Sequence, residues 1–222
     1  MAAVSQKTEA VARAAVYFAP PETSPLGERA RAWFGDRATQ DITGSPRHYG
    51  FHATLKAPFR LAEGKALEGL LNAVERFAAA RRWVEGPTLR VDALGEFLAL
   101  VPSAPDPRLD ALAADCVQAF EPFRAPLSPA ELTRRRAARL SPRQDRYLEE
   151  WGYPYVMEEF RFHMTLTQRL PAPERAHWKA VLEAHFATIA DRPLVLDGIS
   201  VFVQDSLESP FRHLARFPFE AR

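Results

Sequence analysis

Cysteine is almost absent. Cys116 stands alone, which excludes an intramolecular disulfide framework and any Cys-rich metal motif, and fits a reducing compartment. No uninterrupted apolar stretch approaches the ~18 residues that a bilayer span requires. The opening residues carry Lys7, Glu9 and Arg13, so the apolar centre of a secretory signal is missing as well. A soluble cytoplasmic protein with no membrane partner is expected. Charge of one sign is lacking too: 29 Lys and Arg stand against 28 Asp and Glu, a formal net charge of +1. No global field draws nucleic acid to such a chain, and an anionic partner has to be held by a local patch. Glycine is scarce at 10 residues while proline reaches 19, an inversion of the usual ~7% and ~5% that makes turns stiff. What remains is ordinary for a packed protein. Of 222 residues 47% are hydrophobic and 26% charged, which argues for a sizeable core and against disorder.

Hydrophobic periodicity divides the chain into strands and one-faced helices. The run from Arg13 to Ala19 reads as a strand stopped by Pro20 and Pro21, and Ser24 with Pro25 opens a short helix through Trp33 and Phe34. The polar stretch from Gly35 to Gly50, full of Asp, Thr, Gly and Pro, reads as a long loop bordering a site. Phe51 to Leu61 alternates as a strand does. Leu67, Leu70, Leu71, Val74, Phe77 and Ala78 form a helical stripe. Thr88 to Ala93 and Glu96 to Val101 follow as strands bent at Gly95, then a helix from Pro107 to Phe120 buries Cys116 as core filler. Arginines at 134, 135, 136, 139, 143 and 146 make the one cationic run, read as a solvated helix face or as a lid for an anionic ligand. Phe160 to Leu170 is a second alternating strand. A helix opened by Pro173 carries Trp178, Val181, Leu182, His185, Phe186 and Ile189, with His185 at the boundary of the packed face. Leu194 to Val203 and Phe211 to Phe217 read as two closing strands.

The two halves repeat one another. Phe51, His52, Thr54 and Leu55 precede a helix and the pair Val91, Asp92; Phe162, His163, Thr165 and Leu166 precede a helix and the pair Leu196, Asp197. With ten threonines in the chain, a Thr two residues after a given His is roughly a one-in-twenty accident, strand bias toward Thr aside. Two such accidents with matching flanks point to an internal duplication. Side chains alternate across a strand, so His52 and Thr54 share one face while Phe51, Ala53 and Leu55 face a core. The same parity joins His163 to Thr165, adds Lys56 to the first polar face, and adds Arg161, Thr167 and Arg169 to the second. A pseudo-twofold that brought these faces together would make a cleft of two imidazoles, several hydroxyls and several cations. Such a cleft suits a phosphodiester: one imidazole takes a proton while the other gives one, and Thr hydroxyls and cations hold the non-bridging oxygens. No metal or other cofactor is required. Tyr17, Tyr49 and Tyr155 are candidates to stack on a base or sugar. His48 lies four residues before His52, but Gly50 and the missing Glu after His48 argue against a zinc helix, so it reads as a residue lining the entrance. His177 and His213 read as surface residues.

The paired His-x-Thr-x signatures, in the strings Tyr49 to Phe59 (YGFHATLKAPF) and Phe160 to Thr167 (FRFHMTLT), resemble the 2H phosphoesterase superfamily. That superfamily includes 2',3'-cyclic nucleotide phosphodiesterases and 2'-5' RNA ligases, and the strings are most similar to a branch associated with phosphonate-metabolism operons. The resemblance implies a bilobal α+β fold, with duplicated antiparallel-sheet lobes, helices outside and a central groove. It divides a single 1–222 domain into repeats of 51–123 and 160–222 joined by an Arg-rich insertion at 124–159. It also implies metal-independent cleavage of a small cyclic phosphate, with His52 and His163 as acid and base and Thr54 and Thr165 as phosphate-binding hydroxyls. A small phosphorylated substrate is favoured over nucleic acid, and the sequence carries no signal for an oligomeric state. Two other readings use the same residues. One is a module that binds RNA ends or a nucleotide without chemistry, supported by the arginine run; the other is ligase-like phosphoryl transfer, in which acid and base exchange roles.

Overall fold

Strand β1 (Arg13–Phe18) forms where the apolar-aromatic run predicts it, and its parity sets the layout of the molecule. Ala14, Val16 and Phe18 enter the main core, while Ala15 and Tyr17 pack with Phe202 and Phe211 on the opposite face. The computed structural model describes residues 11–220, so the expectation of no secretory signal at residues 1–10 falls outside the described part. Ser24 caps α1 (Pro25–Gly35) as its sequence predicts, accepting a hydrogen bond from the Gly27 amide.

The stretch from 35 to 50 is not the loop its composition suggests. After a short 3-10 turn it forms α2 (Gln40–Tyr49) with Pro46 inside. A proline there removes the N–H that would bond the Ile42 carbonyl. The Gln168 amide supplies it instead, at 2.7 Å, and the Gln168 side chain donates to the Asp41 carbonyl at 2.8 Å. The helix is therefore held by the second motif segment, a partner that local sequence cannot reveal. Gly50, at φ 75°, turns the chain out of α2 and into the first motif.

Strand β2 (Ala53–Phe59), α3 (Leu67–Ala79), β3 (Val84–Leu94), β4 (Phe97–Pro102) and α4 (Pro107–Phe120) follow, with the hairpin turn at Gly95 in the left-handed region that glycine tolerates. The Arg-rich connection holds α5 (Pro129–Arg136) and α6 (Pro142–Trp151), each opened by a Ser capping box. The second motif is a strand only at β5 (Met164–Thr165), much shorter than its alternation predicts. Past Leu166 its backbone leaves the ladder to bond Ile42 and Glu96. After α7 (Ala172–Phe186), the expected single strand 194–203 divides at Asp197 into β6 (Pro193–Leu196) and β7 (Gly198–Gln204), and β8 (Arg212–Pro218) completes the chain.

These elements form an α+β fold of two four-stranded antiparallel sheets, ordered β2-β1-β7-β8 and β5-β4-β3-β6. Each motif strand is an edge, and each is followed in sequence by a helix and then by a strand that joins the other sheet or begins the link to it. Thus β3 pairs with β4, whose other neighbour is β5, and β7 pairs with β1, whose other neighbour is β2. The apolar-Asp part of the repeat does not superpose: Val91 and Asp92 lie within β3, whereas Leu196 and Asp197 mark the corner between β6 and β7. One core serves both sheets, with Leu55, Leu100, Met164 and Leu166 all at 2% exposure or less. Above it the edges β2 and β5 approach each other, with Cα atoms within 8 Å.

The short β5 depends on a side chain. The Trp33 indole donates to the Leu166 carbonyl at 3.0 Å in a buried setting. Trp33→Phe leaves that carbonyl without its donor and is expected to cost about 1–3 kcal/mol. A lower urea midpoint at unchanged m-value would register it; an unchanged midpoint would show that the bond does not hold the segment.

Candidate active site

Both motifs fold the same way at their histidines. His52 Nδ1 lies 2.9 Å from the Gly50 carbonyl and His163 Nδ1 lies 2.7 Å from the Arg161 carbonyl, each two residues upstream. A carbonyl only accepts, so Nδ1 carries the proton in both rings and Nε2 is left with its lone pair. His52 Nε2 is 3.2 Å from Thr54 Oγ1, which donates to it in the neutral ring. The His52 ring stacks on Tyr17, centroids 3.7 Å apart and planes 20° apart, while His163 lies 5.9 Å from the Phe97 ring.

The two imidazoles open into adjoining lobes of one cleft. A lobe of about 360 Å³ is lined by His52, Thr54 and Thr165, and one of about 510 Å³ by His163 and Thr54. Thr54, Phe97, Tyr153 and Arg169 border both. Burial pushes the His52 imidazole down to about 4, the Gly50 carbonyl opposes this, and the positive field of His163 adds to it. Burial also lowers His163, against the pull of the Arg161 carbonyl. Both rings therefore favour the neutral form at pH 7, and an anion between them favours their charged forms.

Of the other predicted residues, Arg161 and Tyr155 border the larger lobe, Tyr17 and Tyr49 the smaller, and Arg169 both. Two expectations, for Lys56 and His48, are corrected. Lys56 is 2% exposed, borders neither lobe, and bonds the Val117 carbonyl at 3.0 Å and Glu121 at 2.5 Å. The reason is a register irregularity: Tyr17 faces Thr54 but Val16 faces Lys56, so an extra β2 residue intervenes and the parity reverses. Lys56 consequently points with Val16 toward the helix side. Thr167 borders the smaller lobe, with its hydroxyl accepting from the Leu98 amide at 3.0 Å and donating to the Gln168 carbonyl at 2.9 Å. His48 borders neither lobe and meets the Gln204 side chain at 3.3 Å.

The arginine run is mostly the solvated face it resembles. Arg136 pairs with Asp145 and Glu149, and Arg143 lies 3.8 Å from Glu159. Arg135 is the exception and borders the smaller lobe. Sequence reading also missed Tyr153, Phe97 and Arg13. Arg13 shares the parity of Tyr17 and was findable; Tyr153 and Arg135 sit in the connecting segment, where no periodicity marks the side that meets the cleft. Among the described residues no cluster of three or more His, Cys, Asp or Glu is placed to hold a metal, and no helix is long and apolar enough to cross a membrane.

A family model described as "Protein of unknown function (DUF1045)" matches residues 54–212. Two curated relatives are both named ribose 1,5-bisphosphate phosphokinase PhnN. The one from Janthinobacterium sp. (strain Marseille) is 36% identical over 241 residues, covering 99% of this chain and 53% of the relative. The one from Laribacter hongkongensis (strain HLHK9) is 34% identical over 215 residues, covering 90% and 50%. The chain spans about half the length of these relatives. Among solved structures, E. coli LigT complexed with 3'-AMP superposes with a TM-score of 0.50 at 13% identity, covering 94% of this chain and 98% of that one. At that identity the likeness is one of fold, and it is the 2H phosphoesterase fold that the paired motifs imply.

Proposed function

The chain belongs to the DUF1045 family, and from that premise and its cleft we propose that it is a phosphoesterase opening a small cyclic phosphodiester by paired histidine catalysis. The observation that carries this reading is the matched pair of imidazoles, each with Nδ1 tied to the carbonyl two residues upstream, which leaves Nε2 as the basic nitrogen, that of His52 accepting from Thr54 until substrate displaces the hydroxyl. His52, held near pKa 4, is the uncharged base at neutral pH. Its Nε2 removes a proton from the attacking water as the new P–O bond forms. His163, protonated once the anionic ester is bound, donates from Nε2 to the ester oxygen as its bond to phosphorus breaks. The product is a phosphate monoester with a freed hydroxyl, and proton exchange with solvent resets the pair. Thr54 and Thr165 donate to the non-bridging oxygens, with Arg161 and Arg169 at the mouth.

The relatives named for ribose 1,5-bisphosphate and the 3'-AMP held by LigT direct the choice of substrate toward phosphorylated ribose rings. The substrate is a nucleoside 2',3'-cyclic phosphate or a ribose cyclic phosphate, and the resemblance to a phosphonate-operon branch supports a role in phosphonate metabolism. Phosphorus NMR of both ester classes with the purified protein in EDTA tests this. Conversion of at least one cyclic resonance to a monoester is expected at the same rate with and without chelator. Loss of turnover in EDTA would overturn the metal-independent mechanism, and tight 3'-AMP binding with no turnover of either class would assign a nucleotide-binding module instead.

A further inference from the structure

Three arginines border the smaller lobe, Arg13, Arg135 and Arg169, and no carboxylate among the described residues borders it. Arg169 is at the mouth and pairs with Glu96 at 3.4 Å, both side chains being exposed. Arg13 and Arg135 are different. Arg13 is held at Nε by Gln204 Oε1 at 2.7 Å and lies 5.5 Å from the Phe211 ring. Arg135 comes from α5, lies 5.7 Å from the Tyr153 ring, and has a buried Nε with no hydrogen-bond partner. Neither guanidinium is in an ion pair among the described residues; Glu131, one turn before Arg135, is taken by Arg60 at 3.1 Å and by the Ser128 amide at 2.8 Å. Arg13 and Arg135 line the same lobe and the same adjoining crevice; burial lowers the Arg135 pKa, Arg134 and Arg13 add to that, and Tyr153 and Glu131 oppose it. Placing guanidinium groups so is costly unless an anion arrives.

The arginines share their lobe with the first motif histidine. Arg13 and Tyr17 share the cleft-side parity of β1, separated by about 13 Å of strand, and Tyr17 stacks on His52. Arg13, Arg135 and His52 line the same lobe of about 360 Å³, so one small molecule in it meets both arginines and the imidazole.

We propose that Arg13 and Arg135 form a second anion subsite, and that the substrate is a bis-anionic sugar ester carrying a phosphate monoester besides the cyclic phosphodiester that the histidines open. The inference rests on the phosphodiester reading of the cleft. It makes the Arg-rich segment a specificity element through one arginine of the run, while its neighbours on α5 and α6 serve solubility and local pairing.

Isothermal titration with two probe pairs tests it: 3'-AMP against adenosine 3',5'-bisphosphate, and ribose 5-phosphate against ribose 1,5-bisphosphate. In at least one pair the wild-type chain is expected to prefer the bisphosphate by about tenfold or more, the scale of a charge-assisted bidentate contact. Arg135→Met and Arg13→Met, each checked for folding by circular dichroism, are expected to collapse that ratio toward one. His52→Ala is expected to keep it. A wild-type ratio below about twofold in both pairs, or a ratio that survives both arginine substitutions, would overturn the subsite. The outcome is separable from the catalytic reading: bisphosphate preference without turnover of any cyclic ester leaves the subsite standing and sinks the phosphoesterase, whereas turnover with no preference does the reverse.

Discussion

Replacing either His52 or His163 with alanine is expected to lower turnover of the cyclic ester by about 10²–10⁴-fold, the range for a positioned acid or base. The double variant should be little worse than the weaker single one, because the two imidazoles act on one transition state. The pH profile gives an independent reading. A base must be unprotonated and an acid protonated, so kcat/KM rises through the His52 pKa near 4 and falls through that of His163, which burial sets below its ordinary 6.5. A mildly acidic optimum follows, and His52→Ala should remove the rising limb. Stability moves in a related way. His52 has a folded pKa below its ordinary 6.5, so its neutral form stabilises the fold fully above pH 6.5, and that contribution is lost as pH falls toward 4. Urea midpoints at pH 7 and pH 4.5 should therefore differ less for His52→Ala than for wild type. More than about a tenth of wild-type turnover in either single variant would sink the paired mechanism.

Glu121→Ala is expected to destabilise the protein by about 3–5 kcal/mol, the cost of stranding a buried charge. Glu121 accepts from Lys56 and, through its other oxygen, from the Arg124 guanidinium at 2.9 Å. The Lys56 side chain is 3% exposed and that of Glu121 24%. Burial lowers the Lys56 pKa and Glu121 pulls it back up, so without the carboxylate the ammonium keeps only the Val117 carbonyl. The reverse substitution is gentler. Lys56→Met leaves Glu121 with Arg124 and with solvent, and a loss below about 1.5 kcal/mol is expected. Its turnover should stay near wild type, since Lys56 borders neither lobe. Chemical denaturation of both variants checks the asymmetry; equal losses would mean that Lys56 matters for something other than this pair. A large loss of turnover in a folded Lys56→Met variant would restore it to the cleft.

Much of the molecule was legible because burial leaves a periodic trace. The stripes of α3, α4 and α7, the Ser24 cap and the pairing of His52 with Thr54 stand where spacing predicts them, whereas His163 and Thr165 border different lobes. The misses share a cause: each depends on a partner remote in sequence. Pro46 lies in a helix because Gln168 bonds the carbonyl it frees, and Lys56 turns away from the cleft because β2 carries an extra residue against β1. The break at Asp197 divides one apolar run between two sheets, a choice that alternation alone cannot encode. Within the site, the motif residues announced themselves by duplication. Arg135 did not, since five other arginines around it carry the same local signal and differ only in what lies opposite.

The exchange of strands between the sheets also sets the order in which the cleft can come into being. Ala14 of β1 pairs with Val203 of β7, and β7 in turn with β8, so the sheet beneath His52 joins the earliest described strand to the last two. Such pairing is non-local in the extreme, and chains with distant contacts fold slowly because large loops must close first. On a ribosome, the first motif emerges long before the strand that seats its sheet. A nascent chain ending anywhere before β7 carries His52 and its tyrosine without the floor they stand on, and the cleft is completed only with the final strands.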